Sequence, residues 1–426
     1  MMHRRQLLRC FSSLACSLAL LLVAGTGTGG IAAAAKPENS HWVATWATSP
    51  SFPYADGAQP RGPKLEFGDQ TLRQIVHISL GGDRFRVRLS NAFGKQAVTI
   101  GAAHLAIRTE KSKIAPGSDR ALTFSGRPSI AIPPGALVLS DPVDLKAPDS
   151  ADLAVGIYLP GSPAPASTVH YSAQQTSYVA AGDVTGAVVI QENATIASWV
   201  YLTGVDVLAP PTSAAVVTLG DSITDGARST ADANRRWPNI LANRLLAQRG
   251  KTRLSVVNAG IGGNRILHDG AGAPGPAYGP SALARFERDV LGQPGVKYAI
   301  VFEGVNDIGH PGGTAPMSED VTADDMIAGL RQLIELAHER GLKIFGGTIL
   351  PFTTAGSPKD LKRQAVNQWI VNGKAFDGVI DFDKRLRDPA QPNRLLALYD
   401  SGDGLHPNDA GLQAMGEAVD LSLFSR

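Results

Sequence analysis

The feature that most constrains this chain is a change of pattern near residue 210. Up to about residue 208, apolar residues fall in short runs, several with period-two alternation, separated by Gly, Pro and Asp turns. No long helical pattern intervenes, so this half reads as a β-sandwich of jelly-roll type. After Ala209-Pro210-Pro211-Thr212 the pattern becomes one of short apolar runs alternating with segments of helical period. Runs at 214–219, 253–258, 298–303, 343–350 and 379–382 read as strands. Segments 238–249, 281–291, 323–340, 359–374 and 408–423 read as helices. Alternating strands and helices imply a parallel sheet covered on both faces.

Within the first half, strands are expected at 72–79, 85–90, 98–107, 136–139, 153–159, 177–181 and 198–207. Gly81-Gly82-Asp83 separates the first two and predicts a hairpin. Trp42 and Trp46 are expected on one face of a strand, as core aromatics rather than a sugar platform.

The N-terminus reads as an export signal spanning 1–35. Arg4, Arg5 and Arg9 precede an apolar run at 14–24, and Ala32-Ala33-Ala34-Ala35 offers small residues for cleavage. Arg4-Arg5 also resembles a twin-arginine signal, so Sec and twin-arginine export are both open, and the product would be secreted or periplasmic. The apolar run is too short to span a bilayer, so no integral membrane segment is expected after signal removal. Both cysteines, Cys10 and Cys16, lie in this segment. The mature chain would then have no disulfide, thiolate metal site or cysteine nucleophile. It would carry 37 basic against 38 acidic residues, and this balance argues against nucleic acid as a partner. Domains are expected at 36–209 and 210–426.

Four segments of the second half carry candidate chemistry. Gly220-Asp221-Ser222-Ile223-Thr224 follows the first strand. Asn258-Ala259-Gly260-Ile261-Gly262-Gly263 closes the second, Gly304-Val305-Asn306-Asp307 follows the third, and Asp403-Gly404-Leu405-His406-Pro407 precedes the last helix. The first three would converge beyond the carboxyl ends of a parallel sheet, where ligands bind in such folds. A serine hydroxyl needs a base, and a histidine serves if a carboxylate orients it. Ser222, His406 and Asp403 can fill those roles, and one loop can present both Asp403 and His406. The Ser222 and Gly263 amides and the Asn306 side chain can face an oxyanion. Read singly, Ser222 is equally a helix cap and His406 a loop residue. Asp221 and Asp307 read as loop organisers, and Asp225 as a turn residue. Gly220-Asp221-Ser222-Ile223-Thr224 lacks the second glycine of the G-x-S-x-G elbow. No His-x-His, His-Glu-x-x-His or Cys cluster appears, so neither metal nor cofactor is expected.

Taken together, in this order over roughly 190 residues, the four blocks resemble those of the SGNH (GDSL-type) hydrolases. The resemblance implies a flavodoxin-like three-layer α/β/α sandwich with Ser222 as nucleophile, Asp403 and His406 as acid and base, and Gly263 and Asn306 at the oxyanion. His41-Trp42-Val43-Ala44-Thr45-Trp46 and Asn91-Ala92-Phe93-Gly94 look like a large secreted branch with a preceding β-domain, whose relatives include xylan esterases. The reading is a secreted serine esterase acting without cofactor on small-molecule or polysaccharide acyl esters, acetyl above all. Alternatives are a lipase or thioesterase of the same family, or a carbohydrate-binding protein with an inactive hydrolase domain. Loops 268–278, 309–316 and 352–358 are expected to border the cleft, with Tyr278 and His310 hydrogen-bonding a sugar.

Overall fold

The structure is a computed structural model and describes residues 40–53, 65–248, 252–272 and 274–425. The expected export signal at 1–35 lies outside the described residues. In the second half, five parallel strands form one sheet in the spatial order Leu254–Gly260, Ala214–Gly220, Val296–Phe302, Lys343–Gly347, Gly378–Ile380. Numbered by sequence this is 2-1-3-4-5, the flavodoxin-like order.

Alternate residues of each strand face opposite layers. Val216 and Ile300 pack with Trp237, Leu241, Leu412 and Met415 from the helices Trp237–Ala247 and Asp409–Ala418. Val217 and Val301 pack with Met326, Leu330, Val366 and Ile370 from the helices Ala323–Glu339 and Pro358–Asn372. A strand buried on both faces must be apolar at consecutive positions, which is why these runs lack alternation. Ala323–Glu339 starts where Thr322 and Asp325 cap each other reciprocally, through Asp325 N to Thr322 Oγ1 at 3.1 Å and Thr322 N to Asp325 Oδ2 at 2.9 Å.

The first half is built of antiparallel strands in two main sheets. One orders His41–Ala47, Leu202–Ala209, Gly82–Ser90 and Leu137–Leu139, with Val143–Ala147 also on Gly82–Ser90. The other orders Glu192–Ile196, Ser177–Ala181, Gln70–His77, Asp152–Leu159 and Ala102–Glu110, with Lys113–Ile114 at its edge. Period-two sets such as Phe85, Val87 and Leu89 from one sheet and Leu153, Val155 and Ile157 from the other share one core.

The predicted hairpin at 81–83 does not form. Its two strands sit in different sheets, and residues 78–81 cross between them. Ile78 and Leu80 are both fully buried, so a surface turn would expose them. The crossing's amides find other partners: Ile78 N donates to Ala151 O at 3.0 Å and Leu80 N to Thr45 Oγ1 at 2.8 Å. A side chain at Gly81 would collide with the Pro148 backbone at 2.3 Å. The two tryptophans also differ from expectation. A bulge between Ala44 and Trp46 pairs Trp42 with Leu208 and Trp46 with Val205, which places them on opposite faces. Trp46 is buried edge-on to Trp199 at 4.9 Å, while Arg86 lies over Trp42 at 4.5 Å.

The two halves pack within one compact unit. Leu254–Gly260 is an edge strand of the parallel sheet, and the strand-rich half covers it. Ser255 Oγ donates to Ala44 O at 2.6 Å, and Val256 N to Ser79 Oγ at 3.1 Å. The edge is thereby covered, with one of its backbone groups, Val256 N, directly partnered.

Leu80→Ala tests the crossing. At a surface turn it would be close to neutral. In the buried crossing it removes core contacts and leaves a cavity, so urea unfolding should show a loss of about 2–5 kcal/mol.

Candidate active site

Gly220, Gly260 and Phe302 end the first three parallel strands, and the strand order reverses between Ala214–Gly220 and Val296–Phe302. In an open α/β sheet that reversal leaves a crevice. Ser222 enters it on a single helical turn, Ser222–Asp225. The Asp221 side chain caps this turn, accepting from Ile223 N at 2.9 Å, and Gly226 ends it at φ 100°.

Across the crevice the loop before the last helix brings in the imidazole. Ser222 Oγ lies 2.9 Å from His406 Nε2, and His406 Nδ1 lies 2.9 Å from Asp403 Oδ2. Asp403 Oδ1 accepts from the amides of His406 at 2.8 Å and Leu405 at 3.1 Å. Burial works to raise the Asp403 pKa. The two amides and the imidazole outweigh it and hold the carboxyl well below the ordinary range. An ionised Asp403 directs the Nδ1 proton of His406 toward itself, leaving Nε2 to accept from the serine.

Gly263 and Asn306 reach the same place. Gly263 adopts φ 79°, and a side chain there would meet the Tyr278 ring at 2.3 Å. Asn306 Nδ2 donates one hydrogen to Asn264 O at 2.9 Å, leaving its second for a ligand. Both residues line the cleft that holds Ser222 and His406.

Beneath these groups lies a buried polar network. Asp307 accepts from Ile266 N at 3.0 and 2.9 Å, fixing the loop after Gly263. Asp221 and Asp307 thus take the backbone-organising places expected of them. Burial, with neighbouring carboxylates adding to it, pushes Asp221 up to about 7 and Glu303 well above its usual range. Arg285, in a segment read only as helix, donates to Gly220 O at 3.0 Å, Ala259 O at 2.6 Å and Asn264 Oδ1 at 2.9 Å.

The cleft has a volume of about 390 Å³. Tyr278 and His310 both line it, with rings stacked at 5.5 Å. Of the three loops expected at its border, 268–278 contributes Pro274, Ala277 and Tyr278, and 309–316 contributes His310. Loop 352–358 does not reach it and lines separate cavities with Asp388 and Asn393.

Two features of the cleft were missed in the sequence. His170, from the strand-rich half, is buried at the cleft with Nε2 3.0 Å from Asp225 Oδ1 and Nδ1 2.8 Å from Ser49 O. Its distance along the chain from Asp225 leaves no local pattern to read. Arg228 lies at the cleft and donates to Asp403 Oδ2 at 3.2 Å.

Comparisons with known proteins bear on the second half of the chain. Residues 218–414 match the model of the GDSL-like Lipase/Acylhydrolase family. Among solved structures, an acetylxylan esterase from Geobacillus stearothermophilus is similar at 21% identity, covering 48% of this chain and 91% of that one, with a TM-score of 0.37. A GDSL-like lipase from Bacteroides thetaiotaomicron is similar at 17% identity, covering 50% of this chain and 88% of that one, with a TM-score of 0.34. A search among curated proteins finds no match. Residues 218–414, just under half of the chain, thus carry a GDSL-like lipase/acylhydrolase domain, which supports a carboxylic ester hydrolase.

Proposed function

We propose that this enzyme is an exported serine esterase that removes short acyl groups, acetyl above all, from carbohydrate alcohols. The observation that carries the mechanism is the continuous hydrogen-bonded series from Ser222 Oγ through His406 to Asp403. Ser222 Oγ attacks the acyl carbon as His406 Nε2 takes its proton. The carbonyl oxygen becomes an oxyanion that accepts from the Ser222 and Gly263 amides and from the second Nδ2 hydrogen of Asn306. The C–O bond to the alcohol then breaks, and the alcohol leaves with the proton from His406. Water attacks the acyl-enzyme with His406 again as base, and the carboxylic acid and free Ser222 result. Asp403, kept ionised by its amide partners, stabilises the imidazolium in both halves of the cycle.

The cleft supports the substrate reading. Beyond Ile261 and Leu405, the aliphatic lining is Pro274, Ala277 and Ala227 with Gly262 and Gly263, which offers limited apolar surface to a long acyl chain. Each methylene that fails to be buried forgoes about 0.8 kcal/mol. Tyr278 and His310 instead offer hydroxyl and imidazole groups.

Three measurements test this. With an aryl acetate, Ser222→Ala and His406→Ala should each lower kcat by about 10⁶-fold, as the equivalent losses do in subtilisin, and Asp403→Ala should be about 10–100-fold milder. Asn306→Ala should cost about 10²–10³ in kcat with a smaller change in KM. Near-normal turnover by Ser222→Ala would overturn the mechanism.

Across acetyl, butyryl, octanoyl and palmitoyl esters of one alcohol, kcat/KM should peak at acetyl. A maximum at octanoyl or beyond would favour a lipase.

The third concerns His310. Burial, and then the charges of Arg265 and Lys359, lower its pKa to about 4, and its Nδ1 has no hydrogen-bond partner among the described residues. The unfolded chain, with a pKa of about 6.5, takes up a proton that the folded chain refuses. This group therefore lowers stability progressively as pH falls from about 6.5 to about 4, and adds no further change below that. In NMR titration the His310 imidazole should stay neutral down to about pH 5. An inflection near 6.5 would show that the site is wetter than the structure indicates.

A further inference from the structure

The cleft has a wall that does not come from the α/β half. His170, Tyr171, Ser172 and Gln174, all from the strand-rich half, line it together with Ser222 and His406. Ser172 and Gln174 adopt left-handed backbone at φ 61° and 47°, a region that non-glycine residues enter at a cost and keep only when their surroundings hold them there.

The holding is visible. Asp232 N donates to Gln174 O at 2.9 Å, while the Asp232 carboxylate accepts from Gln175 Nε2 and Thr176 N, both at 2.6 Å, and from Thr176 Oγ1 at 2.7 Å. Arg236 donates to Ala173 O. The segment carrying Asp232 is in turn fastened to the acid–base loop and the helix after it. Arg228 donates to Asp403, and Thr230 donates to Asp409 through N at 2.8 Å and Oγ1 at 2.6 Å. Residues 228–232 thus form a brace from the His406 loop to residues 174–176 of the other half, with Arg236 holding Ala173 beside them.

That connection sets which part of a substrate the wall would meet. His406 protonates the departing oxygen, so the alcohol lies on the His406 side of the cleft, away from Gly263 and Asn306. Residues 173–176 are held on that side, and Ser172 directly precedes them. The Ser172 hydroxyl and the Gln174 amide each carry donor and acceptor capacity, and among the described residues neither side chain makes a hydrogen bond. A rigid backbone presenting unspent donors and acceptors binds a polyhydroxylated group with little ordering cost.

We propose that residues 170–174 form the alcohol subsite, with Ser172 and Gln174 hydrogen-bonding the hydroxyls of a sugar leaving group. The strand-rich half would then select the alcohol, while the α/β half performs the chemistry. The proposal rests on the serine-esterase reading above.

The test compares two acetate esters with different alcohols, ethyl acetate and a monoacetylated disaccharide, in the full-length enzyme. The Ser172→Gly/Gln174→Gly double variant removes both side chains, and glycine adopts left-handed backbone freely, so the wall keeps its shape. Its thermal midpoint should be close to that of the parent. The ratio of kcat/KM, disaccharide ester over ethyl acetate, should fall about 5–50-fold for two lost hydrogen bonds, with the change carried by KM. Gln174→Asn, which keeps an amide and tolerates the same backbone, should lose less of the ratio than Gln174→Gly. An unchanged ratio in the double variant, or a loss in kcat with KM constant, would overturn the subsite while the esterase reading stands. A parent enzyme that cleaves ethyl acetate but not the disaccharide ester would do the same. A parent that cleaves neither would overturn both.

Discussion

The guanidinium of Arg285 is fully buried and donates to the carbonyl ends of two neighbouring parallel strands, Gly220 and Ala259. Those strands deliver Ser222 and the Gly263 loop. The same group donates to Asn264 Oδ1, whose own backbone oxygen receives Asn306 and whose side-chain nitrogen holds Tyr278 O and Pro280 O at 2.8 Å. It also reaches Ser49 Oγ in the strand-rich half at 3.2 Å. One cation therefore sets the spacing of the nucleophile's turn, the oxyanion candidates and the cleft's aromatic wall. Its burial is tolerated because Asp289 Oδ2 at 3.2 Å and several carbonyls replace the water it gave up.

That cation also shapes the charge beneath the site. Asp221, Glu303 and Asp307 share the buried region, and burial raises all three. Asp403 differs from these three in that its surroundings favour ionisation. Asp403 sits on the more exposed side of the cleft, where two amides and an imidazole meet it. The separation keeps the acid–base chemistry at the rim and the burial-raised carboxylates below.

Much of the α/β half was legible because its signals are local. Ser222, Gly263 and Asn306 each lie within a few residues of a strand end, and Asp403 and His406 share one loop. The mainly antiparallel character of the first half was legible from its turn-separated apolar runs. What escaped depended on distant partners. Whether 70–77 and 82–90 pair is decided by Ala151 and Thr45, not by the glycines between them. The bulge that turns Trp42 away from Trp46 is set by register against Leu202–Ala209. Arg285 occupies an unremarkable helical position, and only the fold shows that its face points under the active site.

The covering of the edge strand Leu254–Gly260 by Ser79 and Ala44 bears on how such a chain can be inherited. The α/β half carries a complete set of candidate catalytic groups, yet moved alone into another gene it would take with it an unclosed strand and a severed cleft wall. Recombination that separates the halves would have to supply new cover for that strand before it yielded a new specificity. The two halves of this chain can diversify through their loops as long as that shared edge stays covered.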